Sequence, residues 1–370
     1  MKVLHVFGSM DVGGAELRTL DLMRQIAAEG FEFHFAVLSG REGVLADELR
    51  SLGGTIHRTP LGPRFPLGFV RVLRHERPAA VDSHVATFSG AILLLAWLAR
   101  VPTRIAHFRS DGDGHPDTVR RRLQRAVMRA LIRLFATDIV GVSPSSLTDG
   151  YRADWAHDRR ARVVPNGVST APRPPADPPL RRAAAVPDDA PAVLHVGRPS
   201  PEKNRPRAVE VVHALRARGT AAHLVLVGGE GTDAARLAAT VARLGASPYV
   251  HDVGMRPDAV SLMAEADVVI LTSDREGLPG VVLEALSVGT PVVATALPGV
   301  QYIADLLPGV RAVPQDAAMD TWCDAIDAAL EESAAPGRRA SIREEFAAGP
   351  FSLDGALEAH RALYRGALRG

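Results

Sequence analysis

The chain has 370 residues, 46% of them hydrophobic and 23% charged, with a formal net charge of +1. That length exceeds what one hydrophobic core serves, so two domains are expected; the composition excludes a disordered or fibrous chain, and the near-neutral balance gives no sign of a nucleic-acid binder. The single cysteine, Cys323, excludes an intramolecular disulfide and a cysteine-cluster metal site.

Met1 to Phe7, followed by Gly8, is too short an apolar run for a signal peptide and reads as a first buried strand over 3–7. The next strand candidates are 33–38, 80–83, 104–108 and 138–142, with amphipathic stretches such as 15–29 and 119–135 between them. The apolar run Ala91 to Ala99 is about half a membrane span and reads as a buried helix, so a cytoplasmic protein is expected. Further on, 192–196, 223–227, 268–272 and 292–295 are strand-like, with helices near 205–218, 233–244 and 279–288. Apolar strands alternating with helices predict an α/β chain of parallel sheets covered on both faces. Ser169 to Pro191 holds seven prolines and reads as a linker. The expected division is 1–170, a linker over 171–191, and 192–351. A final helix within 352–370 has no strand after it and is expected to return to the first domain.

Gly13-Gly14-Ala15-Glu16 follows the first strand and opens a helix. Glycines there let backbone approach a ligand, and bare N–H groups favour a phosphate, although the spacing is neither a dinucleotide fingerprint nor a P-loop. In the second half, Gly197-Arg198-Pro199-Ser200-Pro201-Glu202-Lys203-Asn204 leads from a strand into a helix. Arg198 and Lys203 could converge on a diphosphate. Lys203 stands out because only it and Lys2 are lysines among 43 basic residues. The segment Ser273 to Leu286 sits at a strand's C-terminal end, where open α/β sheets bind ligands. Pro279 suits a helix start there, and Gly289 with Pro291 its end. Glu276 in the loop and Glu284 inside the helix could accept hydrogen bonds from hydroxyls, while N–H groups around Gly280 and Val281 face a phosphate.

Gly-Gly-Ala-Glu at 13–16, Val-Pro-Asn-Gly-Val at 164–168, Val-Gly-Arg-x4-Lys-Asn at 196–204 and Glu-x7-Glu at 276–284 occur in family order. With them the chain resembles the family-4 retaining glycosyltransferases of GT-B fold, two Rossmann-like domains facing across a cleft. The resemblance implies that Arg198 and Lys203 hold the diphosphate of a nucleotide-sugar donor. It also implies that Glu276, in the Gly277-Leu278 loop, holds sugar hydroxyls and that Glu284 holds the ribose. Backbone near Met255 would meet the base, with a lean to uracil, and Gly13 and Gly14 would approach the phosphates from the first domain. Many relatives place a histidine near the reacting sugar carbon after the fourth strand. Here Arg109 takes that slot, with His107 two residues earlier and His84 ending the preceding strand. Arg109 is the preferred candidate, and all three stay open.

The implied activity is retaining transfer of a hexose or N-acetylhexosamine from a UDP-sugar, without cofactor or metal. The acceptor would be a sugar, a glycolipid or a small polar cyclitol, as in exopolysaccharide or aminocyclitol natural-product biosynthesis. A sugar-nucleotide epimerase, a nicotinamide-dependent oxidoreductase and a non-catalytic nucleotide-sugar-binding protein are the competing readings. Asp111-Gly112-Asp113 could hold Mg²⁺, but a polar glycine-containing loop explains it as well. Arg120, Arg121, Arg122, Arg125, Arg129 and Arg133 share a helix with Leu123, Val127, Ala130 and Leu134. A solvated basic face over core-packed leucines is preferred there to membrane contact.

Overall fold

The computed structural model describes residues 1–11, 13–110 and 118–366; Asp111 and Asp113 lie outside the described residues. The chain forms two units, Met1–Gly167 with the segment from Asp354 onward, and Val168–Leu353. In the first, seven strands are β1 Lys2–Phe7, β2 Glu32–Val37, β3 Thr55–Arg58, β4 Ala80–Ser83, β5 Thr103–Phe108, β6 Asp138–Gly141 and β7 Ala161–Val163. In the second, six are β8 Ala192–Val196, β9 His223–Val227, β10 Val250–Asp252, β11 Val268–Leu271, β12 Val292–Thr295 and β13 Val310–Val313.

Every strand pairing is parallel, in the orders β3-β2-β1-β4-β5-β6-β7 and β10-β9-β8-β11-β12-β13. Both orders run outward from the unit's first strand in two directions, so each sheet has one switch point, β1/β4 and β8/β11. The inner strands β4, β11 and β12 are buried along their whole length, and β1 is buried from Val3 onward, as expected of parallel sheets covered on both faces. No helix among the described residues is long and apolar enough to cross a membrane.

In the first unit the Ser89–Leu98 helix buries Ile92, Leu93 and Ala96 in the core and packs on the Val119–Phe135 helix. Gly90 makes that contact close: a Cβ there would lie 2.3 Å from the Met128 carbonyl oxygen and 3.1 Å from Leu131 Cβ. The face of the longer helix turned outward differs from expectation. Leu123, Val127 and Leu134, expected in the core, are exposed, while Ile132 is buried and Met128 and Leu131 are half-buried. Packing of Met128 and Leu131 against Gly90 sets the helix's rotation and turns the leucine stripe away.

The proline-rich stretch is not a free linker. Ala176 N and Leu180 N donate to the Glu265 carboxylate at 3.3 and 2.6 Å, and Ser261 Oγ donates to the Pro174 carbonyl at 2.8 Å. Leu180–Ala183 forms a helical turn with Pro179 at its N-cap, and the whole stretch belongs to the second unit. Proline removes its own N–H, but the residues between prolines keep theirs, and a proline suits a helix start.

Substituting Gly90 by valine is expected to force the two helices apart and destabilise the protein by about 1–3 kcal/mol. Thermal unfolding of the Gly90→Val variant checks this; an unchanged midpoint would contradict the close contact.

Candidate functional site

The loops after β8 and β11 leave the second unit's switch point side by side. The β8 loop carries Gly197 and the exposed Arg198, makes a 3-10 turn over Pro201–Lys203, and passes through Asn204, φ 45°, into the Arg205–Ala217 helix. Its partner carries Ser273 to Leu278 and enters the Gly280–Ser287 helix with Pro279 as N-cap. Hydrogen bonds stitch them together. Lys203 Nζ donates to Glu276 Oε1 at 2.6 Å and Asn204 Nδ2 to Asp274 Oδ1 at 3.0 Å. Asp274 N donates to Glu202 O at 2.8 Å, and Thr272 Oγ1 to Asn204 O at 2.9 Å. Ser273 Oγ adds a 2.7 Å bond to the same Glu276 oxygen. Lys203 and Glu276 are 19% and 13% exposed, so this pair is largely withdrawn from water and screened less than a surface pair.

Arg205 supports the β8 loop from below. Its guanidinium is buried and donates to the Gly197 carbonyl at 2.8 Å and to Asp252 at 3.3 Å. Gly228, φ 150°, faces the same carbonyl, where a Cβ would come within 2.0 Å. Glu284 lies one turn inside its helix, with Oε1 3.9 Å from where a Gly280 Cβ would be. Met255, 73% exposed, rests against Gly229 in the loop after β9. Thus Gly197, Arg198, Lys203, Glu276, Gly277, Leu278, Gly280, Val281 and Glu284 share one end of one sheet.

At the first unit's switch point, Gly13 caps the Gly14–Ile26 helix, and the Glu16 carboxylate folds back over it, 2.3 Å from where a Gly13 Cβ would be. Beside it lies a buried polar network. Arg109 Nε donates to His84 Nδ1 at 3.3 Å, and Arg109 Nη1 to Asn166 Oδ1 at 2.7 Å. His84 Nε2 is 3.0 Å from His5 Nδ1. Asp82 receives His107 Nδ1 at 3.3 Å and the Tyr364 hydroxyl at 3.3 Å, the latter from the Leu353–Tyr364 helix.

Neither histidine candidate has an exposed ring. The side chains of His84 and His107 are fully buried; as whole residues His84 and Arg109 are partly exposed and His107 is buried. His107 and Arg109 share a strand face, but the terminal helix covers His107, whose ring is 5.9 Å from that of His360. His84 is therefore a support for Arg109 and does not itself face a ligand. Asp82, His5, His360 and Tyr364 carry no sequence signal as site residues; Asn166 was visible only as part of the Val-Pro-Asn-Gly-Val motif.

Arg109, a donor only, sets the protons of this network. A neutral His84 that accepts at Nδ1 carries its proton on Nε2 and donates it to His5 Nδ1, leaving the His5 proton on Nε2, an atom without a hydrogen-bond partner. His5 Nδ1, His84 Nε2 and Asp82 Oδ2 are 3.0 to 3.9 Å apart, close enough to ligate one ion. The proton on His84 Nε2 blocks that use. Burial, aided by Arg109, pushes His107 down to about 3 and His84 well below its ordinary value. Burial likewise takes His5 to about 4. Burial opposes ionisation of Asp82, yet the carboxyl is held well below its usual range, with His84 and His107 packed against it, His107 donating to it and the Arg109 charge nearby. Asp82 is thus the carboxylate that balances Arg109.

Known proteins share this architecture. A family model described as glycosyl transferases group 1 matches residues 177–345, and one described as a glycosyl transferase 4-like domain matches 13–167. The D-inositol 3-phosphate glycosyltransferase of Geodermatophilus obscurus is 30% identical over 409 residues, covering 97% of this chain and 86% of that one. The chain belongs to the group 1 glycosyl transferases. This glycosyltransferase is also 29% identical to the capsular polysaccharide biosynthesis glycosyltransferase CapH of Staphylococcus aureus, over 77% of its own length and 78% of CapH. The crystal structure of Anabaena HepE in complex with UDP superposes with a TM-score of 0.81 at 20% identity, covering 99% of this chain and all of that one. The shared fold is GT-B.

The glycosyltransferase is expected to lose stability on acidification. A histidine whose folded pKa is depressed binds its proton more readily when unfolded. Its contribution is therefore complete above about pH 6.5 and is lost as pH falls toward the folded values, about 3 for His107 and for His195, buried on β8, and about 4 for His5. Each such group steepens the fall by up to about 1.4 kcal/mol per pH unit. Denaturant unfolding at pH 7, 6 and 5 checks it; a flat profile would contradict neutral buried histidines.

Proposed function

We propose that this glycosyltransferase moves a hexose or N-acetylhexosamine from a UDP-sugar to an acceptor hydroxyl with retention of configuration. The observation that carries the reading is the Lys203–Glu276 pair, which joins the two loops of the second unit's switch point. The UDP complex of HepE supports the choice of nucleotide.

In this reading Arg198 and Lys203 take the donor diphosphate, and N–H groups at Gly280 and Val281 face a phosphate at the helix start. Glu276 accepts from sugar hydroxyls, Glu284 from the ribose, and the backbone beside Met255 meets the uracil. Lys203 has two tasks: paired with Glu276 it offsets that carboxylate's charge, so a polyanionic donor can dock beside it, and it then shares its charge with the diphosphate. Gly13 and Gly14 approach the donor phosphates from the first unit.

The leaving group is the diphosphate, so the barrier falls when charge growing on it meets preorganised donors; Arg198, Lys203 and the helix N–H groups supply them without a metal. Arg109, held by His84 and Asn166, stabilises that charge or orients the sugar. Among the described residues no side chain stands out as a covalent nucleophile; in this reading the acceptor attacks on the face the diphosphate leaves, and the departing phosphate oxygen takes the acceptor proton. A cyclitol acceptor is consistent with the relatives named D-inositol 3-phosphate glycosyltransferases, and a sugar polymer with CapH.

UDP-glucose and UDP-N-acetylglucosamine are expected to raise the melting temperature of the wild type. Glu276→Ala should keep the response to UDP and lose the increment given by the sugar. Lys203→Ala should weaken both about 10- to 100-fold. Equal UDP-sugar responses in wild type and Glu276→Ala would overturn the site. NMR of the product's anomeric proton tests the stereochemistry: inversion would refute the same-face route, and an epimer formed from donor alone would favour an epimerase.

A further inference from the structure

The Val119–Phe135 helix has six arginines and no acidic residue. Taken at 100° per residue, Val119, Leu123, Val127, Ala130 and Leu134 fall within about 80° of arc. That arc lies opposite the buried Ile132 and the Met128 side that packs on Gly90. The four large members are 73%, 67%, 48% and 71% exposed. Arg133 and Arg122 border the stripe on one side and Arg120 on the other, and all three are exposed. At one end of the stripe, Trp97, itself 50% exposed, packs its ring 5.1 Å from that of Phe135, beside Leu134. Leu98, 51% exposed, and the exposed Arg100 follow.

From this arrangement we infer that the helix is a docking face for an anionic lipid bilayer, on which the protein rests without spanning it. A soluble helix normally buries its apolar stripe; here the stripe faces water along its length while its opposite side does the packing. The occupant follows from charge complementarity. A narrow apolar ridge enters the headgroup–acyl boundary, arginines on both flanks reach phosphates while their stems stay with the ridge, and a tryptophan stands at its edge. Without a carboxylate on this helix, nothing on it repels an anionic surface.

The test is flotation of the full chain with vesicles of phosphatidylcholine containing about 30% phosphatidylglycerol, against phosphatidylcholine alone. Binding is expected to the anionic vesicles only, and to fall at 0.5 M salt, of the order expected when screening shortens to roughly 4–5 Å. Leu123→Ser with Leu134→Ser, and separately Arg120→Glu with Arg133→Glu, should each reduce binding by about 10-fold or more. Melting temperature and the response to UDP should stay at wild-type values in both, which separates a docking defect from misfolding and from failure of the donor site. Equal partition onto both vesicle types, or unaltered binding in both double variants, would overturn the inference. So would a wild-type dimer that the leucine substitutions dissociate without any vesicle binding, which would assign the face to a second copy of the chain.

Discussion

When a parallel sheet is wound outward from one strand in both directions, the connections leaving its two central strands must turn to opposite faces. A gap opens between them at the strands' C-terminal ends. Here the gap at β8/β11 is closed back by an ion pair, Lys203 to Glu276, and by further bonds between the same loops. These ties hold Arg198, Glu276 and the start of the Gly280–Ser287 helix at one end of the sheet. Arg205 supplies the foundation: its buried guanidinium holds the Gly197 carbonyl, and Gly228 leaves room for both. Removing that arginine's length or charge would leave a buried carbonyl without its donor.

The first unit meets a different constraint. A cation with little contact to water needs a counter-charge, and Arg109 finds it in Asp82 by way of imidazoles kept neutral by burial. The arrangement presents one positive group at the end of β5 and conceals its support behind it. Arginine in that slot gives a charge that does not vary over the pH range in which a histidine titrates.

The legibility of the chain follows burial. The strands that sequence patterning predicts are the inner ones, with continuous apolar runs. The four it misses, β3, β7, β10 and β13, are the four edges of the two sheets. An edge strand is covered on fewer sides, so Thr-Ile-His-Arg or Val-His-Asp suffices and no hydrophobic signal accumulates. The two loops that meet at the second unit's switch point are legible because they are short and lie within two contiguous segments. The Asp82 network was not, because it draws on residues from position 5 to position 364, and none of them is unusual alone. The leucine stripe shows the limit of periodicity: spacing reveals an amphipathic helix but not which way it is rotated, and that was decided by one glycine at position 90.

The terminal helix also bears on how the molecule is made. The polypeptide leaves the first unit after Gly167, builds the whole second unit, and returns at Asp354. Tyr364 meets Asp82 across 282 residues of sequence. A ribosome must therefore deliver the residues through Tyr364 before the earlier unit has this element, and closing so long a loop costs entropy that nearby contacts do not. The later unit, continuous in sequence, is complete before the earlier one. The usual order of synthesis, first domain first, is thus reversed at the final step.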